Sequence, residues 1–166
     1  MKPRLVIGLG NPLMGDEGIG WHIIDRLAGD PRLPEDTELL WGGTDLLACA
    51  DQVQGRSRVI LIDAMLDASQ VGSVVVFRDG AGDELQGLED RQGHVHHLSV
   101  TQAIHLLRIV SPWFQAAPLS LIAICVDSAR MQPELSPMLA ATIPRMVDRV
   151  LQELAEGMNL TGCGER

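Results

Sequence analysis

The sequence predicts an α/β fold: a three-layer sandwich with a mostly parallel five-stranded sheet, one antiparallel strand, and helices on both faces. Three observations lead there. Short apolar, β-branched runs alternate along the chain with segments of helical spacing. Aromatic residues are scarce (Trp21, Trp41, Trp113, Phe77 and Phe114, with no Tyr), so the core is aliphatic, as suits a sheet covered by helices. The link from Ala64 to Gly72 is too short for a helical crossover, so the strand after it runs antiparallel.

The elements follow in order. Residues 4–9 read as strand one, and residues 18–28 as a helix with Ile19, Ile23, Ile24 and Leu27 on one side. Pro31 and Pro34 mark the loop that follows. Residues 37–41 form strand two, ended by Gly42-Gly43, and 45–52 suit a short helix. Residues 58–63 are a β-branched and Leu run with a charge at each end, the clearest strand in the chain. Residues 73–78 are the fourth strand. Residues 79–95 are polar, Gly-rich and without period, and a loop that long is often functional. Residues 98–110 read as a helix through Val100, Ile104 and Leu107, which Pro112 ends or kinks. Residues 119–126 are the fifth strand. Ser136-Pro137 opens the last helix, with Ser as N-cap and Pro at the first helical position. Pro144 is expected to bend that helix near its first turns. Residues 1–157 read as one domain and 158–166 as a flexible tail.

Composition narrows the function. The chain has 166 residues, 46% of them hydrophobic, and a formal net charge of −9. No basic stripe for nucleic acid is present. No apolar run approaches the roughly 20 residues that span a bilayer, and the first residues do not read as a signal peptide. A cytoplasmic protein is expected, without nucleic-acid or membrane partners. Cys49, Cys125 and Cys163 form no C-x-x-C pair and read as reduced, mostly buried thiols rather than zinc ligands.

The most informative stretch is Gly8-Leu9-Gly10-Asn11-Pro12-Leu13-Met14-Gly15-Asp16-Glu17-Gly18-Ile19-Gly20. A glycine-rich turn from strand to helix usually cradles phosphate. This one holds two adjacent carboxylates and no Lys or Arg, so it repels phosphate and attracts a cation. A dinucleotide fingerprint also fails: Leu13 stands where the third glycine is needed, and Trp41 stands where strand two should end in an acid.

Sites in open parallel sheets form at the carboxyl ends of strands. With strand two outside, strands one and three are neighbours, so Glu17 and Asp63 face one crevice. Gly93-His94-Val95-His96-His97, before the helix that follows strand four, reaches the same edge. Two carboxylates and an imidazole suit a divalent first-row metal, with positions open for substrate or water. Simpler readings stand beside this one. Asp16 and Glu17 are also good helix-start acids, Asp63 a plain strand-end residue, and the histidines a solvated loop. His22 and His105 lie within helices, and Asp127 ends strand five without a motif.

Taken together, these residues resemble the hydrogenase maturation proteases, the nickel-dependent endopeptidases of NiFe hydrogenase assembly. The opening pattern G-x-G-N-x-L-x-x-D-D/E-x-x-G is met by Gly8, Gly10, Asn11, Leu13, Asp16, Glu17 and Gly20. Gly42-Gly43-Thr44, Asp63-Ala64, and His96-His97-Leu98-Ser99-Val100 meet the later blocks, as do Leu135-Ser136-Pro137 and Pro144. His94 and His97 flank His96, so the pattern can also be read one residue later; the register into Leu98 favours His96. The resemblance covers about residues 4–155. It implies an enzyme that removes a C-terminal extension from a hydrogenase large-subunit precursor after nickel insertion. Glu17, Asp63 and His96 would contact the metal, and the nickel would belong to the substrate. Asp16 and the Gly42-Gly43-Thr44 turn would support or shape the site. No Ser–His–Asp or Cys–His arrangement is evident, so hydrolysis needs an activated water: either the metal polarises the scissile carbonyl and lowers the pKa of the water, or it serves only as a recognition tag with Asp16 or Asp63 as base. A free-standing metal-dependent hydrolase and a nucleotide-binding module are the alternatives.

Overall fold

A computed structural model describes residues 1–78, 99–127 and 132–156. Its strands are β1 (Arg4–Leu9), β2 (Thr37–Gly43), β3 (Arg58–Leu66), β4 (Val74–Arg78) and β5 (Leu119–Val126). The helices are α1 (Ile19–Ala28), α2 (Val100–Val110), α3 (Pro112–Ala116) and α4 (Pro137–Glu156), with 3-10 helices at Gly15–Gly18 and Leu46–Val53. The sheet order is β2-β1-β3-β5-β4. Pairings are parallel except between β4 and β5, which are antiparallel as the short Ala64–Gly72 link requires.

Strand alternation splits the core into two layers. Val6, Ile60, Ile62, Ile122 and Ile124 pack with Ile19, Ile23 and Leu27 of α1 and with Leu139, Met146 and Val150 of α4. Leu5, Ile7, Val59, Leu61, Leu119 and Leu121 pack with Ile104 and Leu107 of α2, Phe114 of α3, and Leu46 and Val53. The result is the expected three-layer sandwich.

Several boundaries differ from the sequence reading, by one residue at most ends, and β2 runs to Gly43 rather than ending at Trp41. β3 does not stop at Asp63. It runs to Leu66, because β5 is long enough to pair Asp63–Leu66 with Ala123–Val126. Pro112 ends α2 by opening a new helix: Ser111 accepts a hydrogen bond from the Phe114 amide, and Pro112 takes the first position of α3. α2 begins at Val100, not 98, with Ser99 and Gln102 forming a reciprocal capping box. α4 runs as one helix through Pro144.

The pole opposite the crevice is held by charge. Glu153 of α4 is fully buried. It pairs with Arg78 at the end of β4 and with Arg58 at the start of β3. Arg58 also donates to the Ser120 hydroxyl, and Arg78 to Glu156 at 2.7 Å. Cys49 and Cys125 are free and buried, and burial pushes both thiols up, as unreactive structural cysteines require. Cys163 and the expected tail lie outside the described residues. Among the described residues, no helix is long and apolar enough to cross a membrane.

Candidate active site

The site is built on the loop between β1 and α1. The Asn11 side chain accepts the Leu13 amide at 3.0 Å, and the Asn11 carbonyl accepts the Met14 amide at 2.9 Å, folding the chain back on itself. The Met14 carbonyl then accepts the Glu17 amide. Gly10 makes this turn possible. Its φ is +110°, and a Cβ there would lie 2.0 Å from the Glu17 carbonyl oxygen. Only glycine lets the end of β1 lie against the backbone of Glu17. Gly20 plays the matching part for α1: a Cβ would lie 2.2 Å from the Leu9 carbonyl oxygen. These two glycines therefore serve packing of turn and helix against the sheet, not the cradling of a phosphate.

The Gly42-Gly43-Thr44 turn leans on the same loop. The Gly10 amide donates to the Gly43 carbonyl at 2.8 Å, and the Trp41 indole donates to the Gly10 carbonyl at 3.3 Å. β1 and β2 shift register at Gly8 and Leu9, where the Gly43 end joins. So the turn braces the acid-bearing loop from the β2 side.

Asp63 sits inside β3, half-buried. Burial pushes its carboxyl up, the Ala64 amide bonded to it at 2.9 Å pulls it down, and the charge of Glu17 pushes it up further; the net position is about 7. Glu17 lies near enough for its charge to act on Asp63, and β1, which leads into its loop, pairs with β3. A carboxyl poised near neutrality beside a second acid can exchange a proton at physiological pH, and the pair attracts a cation.

Asp16 is engaged elsewhere. One of its oxygens accepts the Ser136 amide at 2.7 Å, at the start of α4. His22 lies in α1, edge-on to Trp21 with ring centroids 4.9 Å apart, and desolvation lowers its pKa. His105 is on the outer side of α2, and Asp127 is exposed at the end of β5. Among the described residues, no three His, Cys, Asp or Glu side chains gather closely enough to hold a metal ion. His94, His96, His97 and most of the 79–95 loop lie outside the described residues. The Asp16–Ser136 tie and the Trp41 brace have no local signature in the sequence, since each joins positions far apart in the chain.

A family model, Hydrogenase maturation protease, matches residues 21–153. The chain belongs to the hydrogenase maturation protease family. The matched span includes Gly42-Gly43-Thr44 and Asp63 and begins just after the Asp16-Glu17 loop. The Hydrogenase 2 maturation protease of Escherichia coli (strain K12) is 28% identical over 153 residues, covering 92% of this chain and 90% of the relative. The NiFe hydrogenase maturation protease HybD from Thermococcus kodakarensis superposes with a TM-score of 0.72 at 26% identity, covering 91% of this chain and 97% of that one. The hydrogenase maturating endopeptidase HybD from E. coli gives 0.72 at 28% identity, over 92% and 91%. As a family member, the chain is a protease of hydrogenase maturation, and its sheet and helices are those of the family's solved structures.

Proposed function

We propose that this protein is a cytoplasmic endopeptidase that removes the C-terminal extension of a NiFe hydrogenase large-subunit precursor once nickel has been inserted. Glu17, Asp63 and His96 contact the nickel carried by the precursor. The observation that supports this reading is the Asp63 carboxyl raised to about 7, chiefly by burial, with the charge of Glu17 adding to the shift. A buried acid beside another acid is electrostatically unfavourable, and an arriving divalent cation relieves the repulsion. Two carboxylates and one imidazole form a weak, open site, suited to sharing a metal already held by substrate ligands.

Peptide hydrolysis needs a water whose proton is removed as it attacks and a leaving amine that receives one. Asp63 is the base we assign; after attack it returns the proton to the amine, so the step balances with one water consumed. The nickel, as part of the substrate, fixes the scissile bond against this carboxylate and polarises its carbonyl.

The test is cleavage of nickel-loaded and nickel-free precursor by the wild-type protein and by Glu17→Gln, Asp63→Asn and His96→Ala variants, read by intact mass. Cleavage of the loaded form alone, lost in the three variants, is expected. Equal cleavage by all three variants would remove the reading.

A further inference from the structure

The first carboxylate of the pair, Asp16, makes a contact that neither the chemistry above nor the loop itself requires. Its Oδ1 accepts the Ser136 amide at 2.7 Å, 120 residues away in sequence. Ser136 is the residue at which α4 begins: its hydroxyl oxygen accepts the Leu139 amide and its carbonyl accepts the Ala140 amide at 2.9 Å. The Ser136 N–H itself points out of the helix and has no partner within it. Asp16 fills that need and sets a negative charge against the positive end of a 20-residue helix. A second bond runs alongside, from the Gly15 amide to the Gln132 carbonyl at 2.6 Å. The segment entering α4 is thereby laced to the Gly15–Gly18 turn at two successive residues.

That turn cannot orient itself. A 3-10 helix of four residues has few internal bonds and poor hydrogen-bond geometry. Its direction is set by what holds it from outside. On the sheet side, Gly10 brings the β1 end against the Glu17 backbone. On the other side, Asp16 and Gly15 tie it to the entry of α4. Glu17 is the next residue, caught between the two. We infer that Asp16 is a positioning residue, whose carboxylate clamps the Gly15–Gly18 turn to the start of α4 and so fixes Glu17 opposite Asp63.

This inference rests on the peptidase reading, and the experiment separates the two. Nickel-loaded precursor is cleaved by wild type, Asp16→Ala, Asp16→Asn, Glu17→Gln and the Asp16→Ala/Glu17→Gln double variant. All are assayed at a temperature where circular dichroism shows every variant folded. Asn keeps an acceptor oxygen without the charge. Asp16→Ala is expected to lower kcat by roughly 10- to 100-fold, the scale of an ångström-sized misplacement, with KM changed by less than about threefold. Asp16→Asn is expected to recover most of that loss. The double variant is expected to be no slower than Glu17→Gln alone, because Asp16 acts through Glu17. Amide exchange at Ser136 should be faster in Asp16→Ala than in Asp16→Asn. An Asp16→Asn variant as slow as Asp16→Ala, although its Ser136 amide exchanges as slowly as in wild type, would make the charge itself part of the chemistry and overturn the inference. So would losses that multiply in the double variant, or an Asp16→Ala protein that cleaves at the wild-type rate. Failure of the wild type to cut loaded precursor would instead take down the peptidase reading, and the positioning role with it.

Discussion

At the scale of single residues, the candidate site costs the fold stability, and pH exposes the cost. Asp63 has a folded-state pKa of about 7 against an ordinary value of 3.8. Below about 4 it is protonated whether the chain is folded or not. Between the two values the unfolded chain has released the proton while the folded protein still holds it. Unfolding then releases protons, so stability falls as pH rises through this window and levels off above it. At about 1.4 kcal/mol per pKa unit, the loss is at most roughly 4 kcal/mol. Asp63→Asn keeps an oxygen for the Ala64 amide and has no charge to bury. Urea unfolding at pH 4 and pH 8 should find the variant close to wild type at the lower pH and more stable at the higher. A difference that does not grow with pH would mean Asp63 is not desolvated. Gly10 makes the complementary point. Gly10→Ala puts a methyl group into the Glu17 carbonyl at a φ that L-residues rarely adopt. A thermal melt should show a loss of about 3 kcal/mol or more, or no folded protein at all. The sequence announced both residues, because a glycine-rich turn and a strand-associated acid are local signals. It held no sign of the Ser136 amide as the partner of Asp16, since a contact across 120 residues exists only after the sheet has ordered its strands.

At the scale of elements, strands were legible where their own residues decide them and less so where a neighbour does. β1 and β5 have the bounds expected from their apolar runs. β3 outruns its run because hydrogen bonding to β5 carries it past Asp63. α3 has a local signal, since Ser111-Pro112 is the same N-cap and first-position pair as Ser136-Pro137, but directly behind a helix the proline also looks like a stop. The far end of α4 yields a prediction. Glu153 is fully buried between Arg58 and Arg78. Removing one partner of a buried pair leaves a charge without compensation, which typically costs about 3–5 kcal/mol. Glu153→Ala should lower stability by that order in urea denaturation. The folded fraction should still cleave precursor normally, since this cluster sits at the pole opposite the crevice. A loss below about 1 kcal/mol would show that the arginines rehydrate without cost to the fold.

At the scale of the whole molecule, the two helical layers have no core apart from the sheet between them. Ile60 and Leu61 are consecutive residues of β3, yet Ile60 packs with α1 and α4 while Leu61 packs with α2 and α3. Each layer's apolar surface is buried only because the central strands stand in place, so neither layer can survive loss of the other. The crevice depends on the same strands, since β1 delivers the Glu17 turn and β3 carries Asp63. Ile60→Ala and Leu61→Ala should therefore each remove about 2–5 kcal/mol, the usual cost of emptying a buried aliphatic site. Both should shift one shared transition. The three tryptophans suit the test, because Trp21 lies on α1, Trp113 on α3 and Trp41 on β2, one in each helical layer and one in the sheet. Tryptophan fluorescence, circular dichroism and cleavage of loaded precursor should fall together along the urea axis in both variants. If fluorescence and dichroism separated, or cleavage vanished well before either, the residues would form two cooperative units rather than one. The acids would then be held by a layer weaker than the sheet that positions them.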